Sequence, residues 1–273
     1  MCGAQGYISD SLATLVGRAR GSLFGLGEFT IMLGAVVRGC FSRPFYLDEL
    51  LDQSKFILTA CFVPLLLTGV GWGTIVSLQA GHFFKVTSAG YRLGGFSVMA
   101  SIREFAPTAT ALMVAAVAGT AITADLGARN VRQELEALSV MGMSNINFIV
   151  VPRFLAMMAM TALYNIPMVA FCVATGFAVA VFLVGVNPGA FLSTFWTQGT
   201  LLDLYGGELK CVLFGAIVSA VSCYKGITAR GGAEGVAKAV HSSVVVNFMA
   251  ILSFNYVYTA TILAASHHLN VVK

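Results

Sequence analysis

Arg103 and Glu104 stand side by side between two apolar runs, 93–102 and 105–124, and Lys210 sits early in another apolar run. Ionisable groups inside segments of membrane-spanning length are costly unless they reach an interface, pair with one another or face a polar cavity. These three are therefore read in two ways: as side chains that snorkel or pair at an interface, or as the lining of a cavity. Other chemistries find no candidate. His82, His241, His267 and His268 lack H-E-x-x-H spacing, so no metal site is expected. No G-x-S-x-G turn with a histidine partner appears, which leaves nucleophilic catalysis without support. A phosphate-cradling loop needs G-x-x-x-x-G-K-[ST]. The nearest stretch, Gly231-Gly-Ala-Glu-Gly-Val-Ala-Lys238, lacks the glycine before its lysine and the hydroxyl after it. No catalytic residue and no cofactor site is expected in this chain.

The elements that must position these charges follow from composition. Of 273 residues, 58% are hydrophobic and only 10% are charged, and the mean hydropathy is +0.84. An ordinary soluble domain has about 25% charged residues, and a disordered chain has far fewer apolar ones. An all-α integral membrane protein is the class that fits. The net charge of +4 is too small to suggest nucleic acid. Cys2, Cys40, Cys61, Cys172, Cys211 and Cys223 form no C-x-x-C pair and are read as small hydrophobes. The first 20 residues contain Asp10, Arg18 and Arg20, and no removable signal peptide is expected.

A crossing helix needs about 20 apolar residues. Five runs supply them, at about 56–80, 93–124, 154–186, 204–224 and 242–265, within a transmembrane domain set at 55–273. The first is expected to bend near Pro64, and Arg103-Glu104 interrupts the second. Asn187-Pro188-Gly189 is a turn signal, after which Phe195, Trp196 and Gln198 suggest an interfacial segment. Gly69-Val-Gly-Trp-Gly73 is read as a site of close helix packing. Residues 1–54 form a separate region in which Leu12, Leu15, Val16, Ala19, Leu23 and Leu26 recur at helical spacing. An amphipathic helix in the cytoplasmic interface is expected there, with a sixth span at 22–37 carrying Glu28 as the alternative. Eleven of the 16 lysines and arginines fall in loops on one side, which places the amino terminus in the cytoplasm and the carboxyl terminus outside.

Between the second and third spans, Val131, Leu135, Leu138 and Met141 follow helical spacing. Arg132 and Glu136 are placed for an i, i+4 pair, and Gly142 for a stop. A short amphipathic helix over about 128–142 is predicted, either a connector on the membrane surface or a docking element for a soluble motor subunit. Ala111, Ala115, Gly119, Thr123 and Gly127 repeat every four residues, a small-residue stripe suited to close packing within one subunit or across a dimer. Asp125, at the end of the second span, is read as a structural cap for the helix after it.

Arg103-Glu-Phe-Ala-Pro107, Ala118-Gly-Thr-Ala-Ile-Thr-Ala-Asp-Leu-Gly127, Glu134-Leu-Glu-Ala-Leu-Ser-Val-Met-Gly142 and Val151-Pro-Arg-Phe154 resemble, in that order, the MlaE/YrbE permeases. These are the membrane subunits of ABC transporters that work with MCE-domain lipid carriers. Cys223-Tyr-Lys-Gly-Ile-Thr-Ala-Arg-Gly-Gly232 and Gly235-Val-Ala-Lys-Ala-Val240 are similar to the actinobacterial YrbE branch, associated with fatty acids and sterols. The likeness covers about residues 40 to 265.

The resemblance implies a plasma-membrane permease for a lipid: fatty acid, sterol or phospholipid. It implies a second, non-identical permease, two ATPase subunits holding ATP and Mg, and MCE-domain partners. It makes the helix after span two a coupling helix that meets the ATPase through Arg129, Arg132, Glu134, Leu135, Glu136, Leu138 and Met141. Arg103, Glu104 and Lys210 become candidates for a lipid-headgroup pathway, and the stripe through Gly119 is tilted toward a dimer seam. Where some members carry an arginine before A-G-[ST]-A, this chain has Val117, so that residue's role does not transfer. A membrane-embedded lipid-modifying enzyme is the rival reading, without a catalytic constellation. A secondary transporter is another, without a detectable inverted repeat.

Overall fold

Long uncharged runs in hydrocarbon have the helix as their stable backbone solution, because every N–H and C=O then finds its partner within the segment. The computed structural model describes residues 25, 27–41 and 46–265 and holds no strand among them. Helix α1 covers residues 27–40. After it come α2 (Leu47–Val86), α3 (Gly90–Val131), α4 (Glu134–Val140), α5 (Ile146–Val184), α6 (Pro188–Gln198), α7 (Leu201–Ile227) and α8 (Gly232–Ala265). Five of these, α2, α3, α5, α7 and α8, are long and apolar enough to cross a membrane, in agreement with the five runs read from the sequence. The chain is an all-α, multi-pass membrane protein.

The helices alternate in direction, so the molecule has two ends. One gathers the start of α2, the end of α3, α4, the start of α5 and the end of α7, tied by Arg153 to Glu49 and Asp125. The other gathers Lys85, whose ammonium reaches the Val184 carbonyl, and the Arg103–Asp203 pair. With 40 residues, α2 is about 60 Å long at 1.5 Å per residue, twice the hydrocarbon thickness. Its first turns, with Asp48 and Glu49, therefore extend beyond the apolar layer. For the same reason the boundary drawn at 54/55 falls inside this helix, which begins at Leu47.

The structure corrects the sequence reading in several places. The helix expected over 128–142 is two pieces: α3 ends at Val131, Gln133 adopts left-handed backbone (φ 61), and α4 spans only Glu134–Val140. The break destroys the i, i+4 register, so Arg132 pairs with Glu134 at 2.7 Å instead of Glu136. Gly142 (φ 79) does provide the stop. Asp125 caps nothing. It lies inside α3, where its carboxylate is occupied by Arg129 and Arg153. Pro64, where a bend is expected, lies inside α2. The run from Leu12 to Leu23 lies outside the described residues, as does Leu26. Helix α1 begins among residues that lie outside those described, so it does not decide between an interfacial helix and a sixth span at 22–37. It packs by Met32 and Val36 into the core, and Phe29 meets Tyr224 edge-on at 5.5 Å.

Close helix contacts fall where small residues permit them. A Cβ at Gly73 would collide with Thr175 Oγ1 and the Cys172 carbonyl, so Gly69, Gly73 and Gly81 lie in the α2–α5 seam, while Gly71 faces open space. Asn187 starts α6 as the turn signal predicts, its side chain accepting from Gly189 N at 2.8 Å. The stripe of α3 packs within the subunit: a Cβ on Gly119 would sit 3.0 Å from Ser222 Oγ on α7 and 3.6 Å from Asn247 Nδ2 on α8. The dimer-seam reading of Gly119 is thus replaced by an intramolecular three-helix contact. Gly127 likewise faces Ala229 and Val236. Gly119→Leu is expected to cost about 1 to 3 kcal/mol through overpacking. The loss should appear as a lowered melting temperature of the single permease subunit in detergent, before any assembly step.

Candidate functional site

The sequence singled out Arg103, Glu104 and Lys210, and the fold brings two of them into direct contact. Arg103 and Glu104 lie in a π-helical segment, Ser101–Phe105, one of two in α3. Such segments leave backbone carbonyls partly free and recur at functional sites. Lys210 on α7 takes advantage of this: its Nζ donates to the Arg103 carbonyl at 3.1 Å, to Glu104 Oε2 at 3.1 Å and to Thr259 Oγ1 at 3.3 Å. Lys210 is 1% exposed, whereas the Glu104 side chain keeps 35% of its surface.

The far side of Glu104 is built by α8. Asn255 Nδ2 donates to Oε2 at 3.1 Å, the Thr259 hydroxyl donates to Oε1 at 2.5 Å, and Thr108 donates to Asn255 Oδ1 at 3.2 Å. Tyr258 puts its ring 5.6 Å from the Lys210 ammonium and donates its hydroxyl to the Gly206 carbonyl. Sequence reasoning missed these α8 residues. Their signal was present: Ser243, Asn247, Asn255 and Thr259 recur at multiples of four in an otherwise apolar span, one stripe of a helix. The lower half of that stripe forms a second buried network, in which Asn247 Nδ2 donates to Ser222 Oγ at 3.0 Å and Thr123 meets Ser243 at 3.1 Å.

Arg103 is not in the Glu104–Lys210 pair. Its Nε donates to Asp203 at 2.8 Å, and Asp203 is also held by the Thr200 hydroxyl at 2.7 Å, at the first turn of α7. The three charges expected as one group are therefore two adjacent ion pairs. Nearby, a cavity of about 360 Å³ is walled by Ile102, Val173, Phe177, Phe191, Leu192 and Phe195, all apolar.

At the opposite end, Arg153 is an anchor that the sequence reading counted as a loop charge and within the Val151-Pro-Arg-Phe154 motif, without a role of its own. It is 1% exposed and donates to Asp125 at 2.7 Å and to the Ile149 carbonyl at 3.3 Å, with Glu49 at 3.7 Å. Arg129 closes on the same Asp125 carboxylate at 3.1 Å. Beyond this, α4 presents Glu134 and Glu136 to the outside. Leu135 is buried, Leu138 packs against the core, and Val140 and Met141 are exposed. Asn145 Nδ2 ties α4 back through the Leu135 carbonyl at 2.8 Å. A second cavity of about 360 Å³ opens beside it, lined by Leu135, Glu136, Ser139, Ile149 and Thr228 among others. Among the described residues no cluster of His, Cys, Asp and Glu has the make-up of a metal site.

Known proteins are similar to this sequence over most of its length. The family model described as "Permease MlaE" matches residues 50–261. A "Probable ABC transporter permease protein" of Rickettsia felis is 30% identical over 239 residues, covering 86% of this chain and 90% of its own length. The "Intermembrane phospholipid transport system permease protein MlaE" of Haemophilus influenzae is 28% identical over 241 residues, 88% of this chain and 92% of the relative. A "Probable ABC transporter permease protein" of Synechocystis is 28% identical over 206 residues, 76% and 78% of the two chains.

Proposed function

Because the chain belongs to the MlaE permease family, a family of transport components and not of enzymes, we propose that it is the membrane subunit of an ATP-driven lipid transporter in the plasma membrane. The observation that carries the reading is the Glu104–Lys210 pair. A carboxylate with a third of its surface open, set between α3, α7 and α8, is too costly to face hydrocarbon and is at ease only beside water, a polar headgroup or a second subunit. In this reading a second, non-identical permease completes the cavity, and a lipid headgroup meets Glu104, Lys210 and the Arg103–Asp203 pair. The apolar recess at Phe177 and Phe191 suits an acyl chain.

The Arg153 end faces the cytoplasm, which the lysine and arginine count supports. There α4 and the end of α3 contact two ATPase subunits, which hold the ATP and Mg. The carboxyl terminus lies outside, where MCE-domain carriers receive or deliver the lipid. A phospholipid is favoured by the name of the Haemophilus relative, and fatty acids and sterols belong to the same chemistry of polar head and apolar body.

Glu104→Gln tests the site, since it keeps the volume and removes one charge. Because the change also leaves the buried Lys210 without its carboxylate, a lowered yield accompanies it, and a headgroup contact predicts in addition that lipid flux per assembled complex is at least about tenfold lower, a loss of about 1.4 kcal/mol. Reduced yield with normal flux per complex would make the pair purely structural.

A further inference from the structure

In α3 and α7 the acidic side chains are ion-paired with one exception. Glu104 meets Lys210, Asp203 meets Arg103, and Asp125 meets Arg129 and Arg153. Glu208, two turns into α7, is bonded to an amide instead: Asn165 Nδ2 on α5 donates to Glu208 Oε1 at 3.1 Å. Asn165 is 0% exposed, and its Oδ1 is buried without a hydrogen-bond partner.

An ionised carboxylate is an acceptor only. It can use the amide N–H but has nothing to offer the amide oxygen. A protonated carboxyl has both functions, and an acid facing a primary amide can close a ring of two hydrogen bonds, N–H to the acid carbonyl and O–H to the amide oxygen. Glu208 is half-buried, and this form leaves neither a carboxylate without an ion-pair partner nor the buried Asn165 oxygen without a donor.

Among the described residues the surroundings supply no free cation. On α7, Lys210 is engaged by Glu104, Arg103 O and Thr259, Asp203 is itself an anion, and Cys211 is a buried thiol. α3 contributes Arg103 and Glu104, already paired. On α5 the neighbouring titratable group is Tyr164, whose hydroxyl lies on the Ile57 and Leu58 carbonyls of α2, and α2 carries no charge between Lys55 and Lys85. α8 contributes Tyr258, whose hydroxyl is on the Gly206 carbonyl.

We infer that Glu208 is a proton-binding site in the spans: it carries its proton at neutral pH and forms with Asn165 an acid–amide ring that ties α5 to α7. Loss of that proton sets a charge against the Asn165 oxygen and opens this seam. The inference concerns the resting chain and is independent of which substrate is carried.

The test is an infrared difference spectrum of the full chain, purified with whatever subunits accompany it, recorded at neutral pH for wild type against Glu208→Gln. The expected result is the loss of one protonated-carboxyl C=O band in the variant, with near-normal yield, because an amide–amide pair keeps both hydrogen bonds. Asn165→Leu is expected to retain the band and move it to higher wavenumber, since the C=O loses its N–H donor. Carboxylate stretches in place of the band would overturn the proposal. So would an unmoved band in Asn165→Leu, a comparison that stands even if Glu208→Gln fails to fold.

Discussion

Lys210→Met is expected to abolish accumulation of folded permease or reduce it severely. Removing one partner of a buried ion pair leaves the other uncompensated, at about 3 to 5 kcal/mol. The lower end applies here, because Glu104 retains a third of its surface and the Asn255 and Thr259 donors. Even about 3 kcal/mol shifts the folded fraction by about two orders of magnitude. The double variant Lys210→Met with Glu104→Gln should regain most of the stability, since neither charge is then buried alone, but not lipid flux. Measuring the melting temperature and flux for the single and double variants closes the cycle. A double variant no more stable than Lys210→Met would show that the pair is not the source of the loss.

Asp125→Ala should be comparably severe, and more severe than Arg153→Met. The asymmetry comes from burial: Arg153 is 1% exposed while Asp125 is 43% exposed. Deleting the carboxylate strands a buried guanidinium with Glu49 at 3.7 Å as its remaining ion-pair partner, at about 3 to 5 kcal/mol. Deleting the guanidinium leaves a carboxylate that keeps solvent and Arg129. Thermal unfolding of both variants checks the order, and equal losses would contradict it.

What the sequence made legible was set by hydrocarbon thickness and by charge. Runs such as Phe56–Phe84 admit one backbone solution, and Asn187-Pro188-Gly189 and Gly142 are stops with a mechanism. Gln133 was not legible, because glutamine has no preference for left-handed backbone. Beside it Leu135 is buried and its carbonyl accepts from Asn145, contacts made from outside the local sequence. The π segment at Ser101–Phe105 has no composition signal either, yet it frees the carbonyl that Lys210 uses. Arg153 and the polar stripe of α8 were visible but misjudged. A cation beside Pro152 at a span's edge reads as a loop charge, and Asn255 and Thr259 read as tolerated polar residues until Glu104 is seen between them.

Lipid movement in proteoliposomes, with the permease reconstituted alongside its ATPase and assayed with and without ATP, tests the central claim most directly. The wild-type complex is expected to move lipid only when ATP is hydrolysed. Glu134→Lys with Glu136→Lys, which reverses the exposed charges of α4, should leave the permease folded while abolishing that ATP-driven movement. Lipid movement that needs no ATP, or that persists unchanged in the double variant, would contradict the account.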